Sequence, residues 1–143
     1  MSQEALFDTS ALIALFRRER GWQTLKVLAD TGNCATSAIA FVEMLRAFRN
    51  PRINRPLTAI DAKHFLQAQQ ISILDFPQES AMATEVVLNA IRERNQLATE
   101  KINLSLGDVS LIALGITTSR AIVFSDRAWE SLDIPGVKML AFR

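Results

Sequence analysis

Four acidic residues stand where solubility does not explain them: Asp8, Glu43, Asp108 and Asp126. Asp8 ends the apolar run Ala-Leu-Phe-Asp-Thr-Ser, and Asp126 follows a second such run, Ala-Ile-Val-Phe-Ser-Asp. Glu43 is the only acid between Ala35 and Asn50, a stretch otherwise apolar and basic. Asp108 opens the helix-like Ser-Leu-Gly-Asp-Val-Ser-Leu-Ile-Ala-Leu. Carboxylates at such places are costly unless something positive sits among them. Mg2+ and Mn2+ prefer hard oxygen ligands and keep some of their waters. Bound at a phosphodiester, they polarise the phosphate, lower the pKa of a water and stabilise developing charge. Without a cation, carboxylates about 4–6 Å apart repel by roughly 1–4 kcal/mol per pair.

The totals narrow the alternatives. The chain has 143 residues, enough for one domain with a substantial core, and we expect a single domain over 1–143. Sixteen Lys and Arg against fifteen Asp and Glu leave a net charge of +1, so any nucleic-acid contact must use a local patch. One histidine, His64, excludes a nuclease with a histidine acid–base pair and a zinc site of several Cys and His. One cysteine, Cys34, excludes an intramolecular disulfide and fits a reducing cytoplasm. Neither a membrane span nor an apolar leader is apparent, so a cytoplasmic protein without membrane contact is expected.

Apolar runs alternate with helical patterns. Strands are expected at Ala5 to Phe7, Cys34 to Thr36, Ile71 to Leu74, Ala121 to Phe124 and Val137 to Leu140. Helices are expected at Ser10 to Glu19, Trp22 to Ala29, Ser37 to Arg49, from an N-cap at Thr58 to Gln69, Pro77 to Asn95, and near Ser105 to Thr118. A short one is expected around Ala128 to Leu132. Short strands separated by helices argue for an α/β sandwich around a parallel sheet. Ligands in such sheets bind beyond the carboxyl ends of the strands. If the first strand neighbours Ala121 to Phe124, Asp8 and Asp126 reach a shared ion. Ala40, Glu43 and Ala47 then share the helix side toward it, leaving Ile39, Val42 and Leu45 as core.

Each acid also has a local alternative. Asp8 and Asp126 can cap the helices that follow them. Asp108, three residues after Ser105, can close a capping box. Glu43 can pair with Arg46.

Leu-Phe-Asp-Thr-Ser-Ala-Leu-Ile, Ala-Thr-Ser-Ala-Ile-Ala-Phe-Val-Glu-Met-Leu-Arg, Leu-Ser-Leu-Gly-Asp-Val-Ser-Leu-Ile-Ala-Leu and Val-Phe-Ser-Asp-Arg-Ala-Trp occur in this order across almost the whole chain. Together they resemble the PIN-domain ribonuclease toxins of VapC type, from type II toxin–antitoxin pairs. The resemblance implies a three-layer α/β/α sandwich with a central, mainly parallel sheet. It implies a Mg2+- or Mn2+-dependent endoribonuclease leaving 3′-hydroxyl and 5′-phosphate ends. Asp8 and Asp108 are then the firmest metal ligands, and Glu43 and Asp126 complete the catalytic set. It further implies a homodimer and a cognate antitoxin that covers the active-site groove, within a larger assembly. The third block reads Asp-Val-Ser-Leu-Ile-Ala where many relatives have Asp-x-x-Ile-Ala, an offset that leaves the carboxylate in place.

Hydroxyls flank the acids at Thr9, Ser10 and Ser125, and Ser10 is the expected active-site hydroxyl. Arg46, Arg49, Arg52 and Arg55 recur at every third residue, with no acid from Met44 to Asp61, and are candidates for RNA contact. Arg17, Arg18 and Arg20 form a smaller cluster. Trp22 and Trp129 read as core or interface anchors, Cys34 as a buried filler and His64 as a surface residue. Rival readings are a phosphotransferase-like hydrolase, which needs a second aspartate where Ser10 stands, and a receiver domain, whose acidic pair and late lysine are missing. A third is a non-catalytic PIN module that binds RNA or protein.

Overall fold

Successive residues of each strand feed two different cores. The computed structural model describes residues 4–143. Residues 1–3, part of the stretch read as lacking an apolar leader, lie outside them. The sheet contains β1 (Ala5–Phe7), β2 (Cys34–Ser37), β3 (Ser72–Leu74), β4 (Ala121–Phe124) and β5 (Met139–Ala141), in the order β3-β2-β1-β4-β5. Every pairing is parallel. Ala5, Phe7, Val123 and Leu140 point into one core, and Leu6, Ile122, Phe124 and Met139 into the other. This period-two alternation with apolar residues on both faces is what a doubly covered sheet demands.

The first core is closed by α1 (Thr9–Arg17), α2 (Trp22–Asp30), α3 (Ala38–Ala47) and α4 (Ala59–Ala68). Phe16 binds them together, edge-on to Phe48 at 5.3 Å and to Phe65 at 4.9 Å. The second core is closed by α5 (Gln78–Leu97), α6 (Leu106–Thr118) and a 3₁₀ turn, Arg127–Ser131. Trp129 of that turn stacks on Phe124 at 5.1 Å and is buried, as an anchor should be. The result is the expected three-layer α/β/α sandwich.

Local signals place the element ends. Thr58 caps α4 by accepting from Asp61 N–H, as expected, and Ser37 caps α3 by accepting from Ala40 N–H. Asn95 fastens the connector after α5 with bonds to both backbone groups of Ile102, at 2.8 and 2.9 Å. Cys34 is buried, and burial pushes its thiol up to about 11. His64 is exposed. No helix among the described residues is long and apolar enough to cross a membrane.

The face of α3 is a correction. Ala40 and Met44 are buried, whereas Val42, expected in the core, is 61% exposed. Glu43 and Arg46 are the only charged residues of this helix, so its pattern does not select a face. The packing does, with small Ala40 meeting the first core.

Candidate functional site

The sheet changes its winding direction between β1 and β4, and the chain leaves both strands at the same edge. Register fixes this, with Leu6 opposite Ile122 and Phe7 opposite Val123. Asp8 N–H donates to Val123 O at 3.0 Å, so the first residue past β1 is still tied to β4. Such a switch point at the carboxyl edge is where open parallel sheets bind ligands.

Asp8 is 6% exposed. Its Oδ1 accepts from Ser10 Oγ at 2.6 Å and from Ala11 N–H at 2.8 Å, the latter capping α1. Burial nevertheless raises its pKa from 3.8 to about 7. The Ser10 and Ala11 bonds pull down, the charge of Asp108 pushes up, and the Arg143 guanidinium pulls down. The charge of Asp108, the other acid expected to be a firmest ligand, therefore reaches Asp8. Ser125 Oγ donates to Ser10 Oγ at 2.9 Å, extending the hydroxyl chain from β4 to Asp8.

Glu43 reaches the same edge from α3. Thr9 Oγ1 donates to its Oε1 at 3.1 Å, and Arg46 does not pair with it. Its carboxylate lies directly over Gly107, where a Cβ would stand only 1.9 Å from Glu43 Oε1. Gly107 is thus the gap through which α6 admits the acid of α3, one residue before Asp108. Asp108 closes a capping box with Ser105, accepting its N–H at 3.1 Å. Asp126 is exposed and accepts from Ala128 N–H at 3.0 Å.

The local alternatives for Asp8, Asp108 and Asp126 are therefore all realised as caps. Among the described residues, no three acids, histidines or cysteines close around one ion as placed. Like charges explain the spread, since each carboxylate takes the nearest N–H or hydroxyl rather than approach its neighbours. Asp8, Glu43 and Asp108 are joined through Thr9, Gly107 and mutual charge. Among the described residues, Asp126 is linked to them through its chain neighbour Ser125.

The basic residues divide. Arg46 and Arg49 line a cavity of about 710 Å³ with Thr9, Glu43, Asn50 and Pro51. Arg49 also donates to Leu57 O at 2.7 Å, holding the loop after α3, so it has a structural task. Arg55 opens on a separate cavity with Phe16 and Phe48, and Arg52 is exposed and lines neither. Arg17 and Arg18 lie over Phe48 and Trp22. Sequence reasoning missed Arg127 and Arg143, which gather with Arg20 around Ser125. The available signal was that Arg143, like Asp8 and Asp126, lies just past a strand end.

Ser10→Ala tests the hydroxyl. Losing the Ser10 bond raises the Asp8 pKa further, so the ionised acid forms only at higher pH. Any Asp8-dependent activity should fall about tenfold, and its acid limb should move to higher pH. An unmoved pH profile would release Ser10 from this role.

No curated protein matches the chain by sequence. Solved structures share its fold at low identity. DNA-bound VapBC from Salmonella typhimurium superposes with a TM-score of 0.70 at 12% identity, over 99% of this chain and 100% of that one. VapBC2 from Rickettsia felis, bound to a promoter DNA fragment, gives 0.69 at 12%, over 96% and 97%. A toxin–antitoxin complex from Klebsiella pneumoniae gives 0.60 at 20%, over 93% and 94%. The PIN domain family model matches residues 5–135, a span from β1 to beyond the 3₁₀ turn that contains every acid of this edge, and the chain belongs to the PIN-domain family.

Proposed function

We propose that the protein is a Mg2+- or Mn2+-dependent endoribonuclease, the toxin of a toxin–antitoxin pair. The observation that carries this is Asp8: a buried carboxylate at the β1/β4 switch point, beside Asp108, with its pKa lifted to about 7. Such a group is stabilised by a cation. The donor set suits a hard one, being oxygen throughout: Asp8, Asp108 and Glu43, with Asp126 at the rim. Asp8 and Asp108 would hold the ion, and Glu43 and Asp126 would complete the site. When bound, the ion supplies Lewis acidity toward a phosphate and a more acidic water.

The chain's own residues do the rest. Ser10 and Ala11 N–H hold one Asp8 oxygen and leave the other available. Thr9 orients Glu43, and Gly107 keeps its place open. Arg46 draws the phosphate backbone toward an edge that would otherwise repel it. Direct attack by water on phosphorus leaves a 5′-phosphate and a 3′-hydroxyl, without an enzyme-bound intermediate. The fold shared with VapBC complexes supports an antitoxin as partner, and a second copy of the chain belongs to the same reading.

The test is cleavage of single-stranded and structured RNAs by the purified chain with Mg2+ or Mn2+. Cleavage should stop with EDTA and with Asp108→Asn, which can keep the capping box through its amide oxygen. Cleavage that persists in either arm sinks the proposal. Arg46→Glu should weaken RNA binding and flatten its salt dependence, and it is a cleaner probe than Arg49, which holds Leu57. A second reading, a PIN module that binds RNA or protein without cleaving, is favoured by the capping of three of the acids. RNA bound equally with and without EDTA, and never cut, would select it.

A further inference from the structure

On the β5 side of Asp8 lies a cavity of about 420 Å³ lined by Arg20, Ser125, Arg127 and Arg143. Three elements deliver the guanidinium groups: the α1–α2 turn, the start of the 3₁₀ turn and the segment after β5. Ser125 lies beyond β4 and is wired through Ser10 to Asp8. We propose that Arg20, Arg127 and Arg143 form a phosphate subsite for the RNA backbone, flanking the scissile bond on the β5 side. This rests on the nuclease reading above and adds where the strand runs. Arg46 and Arg49, beside Thr9 and Glu43, line one cavity and this cluster lines another, and the strand order puts Asp8, past β1, between the helix that follows β2 and the residues that follow β4 and β5.

The seat of Arg143 is specifically shaped. Gly21 adopts φ 89°, and a Cβ there would stand 2.9 Å from Phe142 Cδ2 and 3.1 Å from Arg143 Cβ. Phe142 N–H donates to Phe124 O at 2.9 Å, continuing the β4–β5 ladder. Arg143 itself donates to Arg20 O at 3.2 Å, so the two arginines are held together. Packing like charges is unfavourable unless an anion is shared. The acids nearby engage two of the three, at the exposed surface or at the limit of ion-pair reach. Glu19 is 4.0 Å from Arg143, Glu130 pairs with Arg127 at 3.3 Å on the exposed surface, and Asp126 is turned to Ala128. Arg20 has no ion pair among the described residues. Arginine is the side chain suited to phosphate, through its planar donor fork.

The experiment measures binding of a labelled single-stranded oligoribonucleotide to the full chain in EDTA, by fluorescence anisotropy across a range of KCl. Arg20→Gln and Arg127→Gln, both at exposed side chains, should each weaken binding roughly five- to tenfold at low salt. Each should also reduce the log–log salt slope by about 0.7, the share of one single-strand phosphate. Arg143→Gln should match them, provided its melting curve matches the parent's. Unchanged affinity and slope in Arg20→Gln and Arg127→Gln, with cleavage intact in the parent, would overturn the subsite and leave the nuclease reading standing. The same holds if the variants lose binding to poly-glutamate and keep RNA, since the cluster would then serve an acidic protein segment. A parent that binds RNA through these arginines and never cuts it would support the subsite and defeat the nuclease reading.

Discussion

Asp8→Asn is expected to abolish divalent-dependent RNA cleavage, by on the order of 10³-fold, and yet to stabilise the metal-free protein at pH 8. The loss follows from removing the acid placed at the switch point. The gain follows from where its proton sits. The folded-state pKa of about 7 lies above the ordinary 3.8, so the native structure prefers the protonated carboxyl. That preference favours folding fully below pH 3.8 and is lost as pH rises through about 7. Above pH 7 the native state bears the whole cost of a buried carboxylate, at most about 4 kcal/mol for a shift of roughly three units. Asparagine is nearly isosteric, and its Oδ1 still accepts from Ser10 and Ala11. Melting in EDTA from pH 4 to pH 8 should show the parent losing stability relative to the variant as pH rises. A variant less stable than the parent at pH 8, or one that still cleaves RNA, contradicts this account.

Gly107→Ala should separate activity from stability in a second way. The new methyl would stand 1.9 Å from Glu43 Oε1 and 2.4 Å from its Cδ, so the carboxylate must leave. The atoms that move are the far end of a flexible side chain, which makes the displacement cheap. Alanine also favours the helix by roughly 1 kcal/mol over glycine. Melting should therefore change by only a few degrees in either direction. Cleavage should fall about 100-fold, the usual consequence of misplacing one functional group by an ångström or more. Thr9 loses its acceptor as well, so Thr9→Ala should add little to Gly107→Ala. Full activity in Gly107→Ala would show that Glu43 is dispensable.

The strands were legible because β1 and β4 are short apolar runs, with Asp8 directly after β1 and Asp126 two residues past β4, while Gly32-Asn33 marks the start of β2. The strand-end rule then singled out Asp8 and Asp126 as candidates without knowledge of the topology. What pattern does not carry is distance between helices. Nothing in the sequence marks Gly107, and only the approach of α3 to α6 reveals why nothing larger fits. The face of α3 was misjudged for a related reason: Val42 is apolar and exposed, while alanine's small size decides which side meets the core. Regular spacing does not amount to a shared position in the loop after α3. Arg46, Arg49, Arg52 and Arg55 are evenly spaced in sequence, but the chain turns between them, and only the first two share the Glu43 cavity. The cluster at Arg20, Arg127 and Arg143 has no regular spacing, because three separate elements supply it.

In the hydroxyl relay to Asp8, Ser125 and Ser10 stand 115 positions apart in sequence. During synthesis β1 is made well before β4, so the relay to Asp8 stays open until β4 has emerged and laid itself beside β1. Under the nuclease reading, unfinished copies are harmless to the very transcripts being translated. On that reading, catalytic competence waits for the docking of β4.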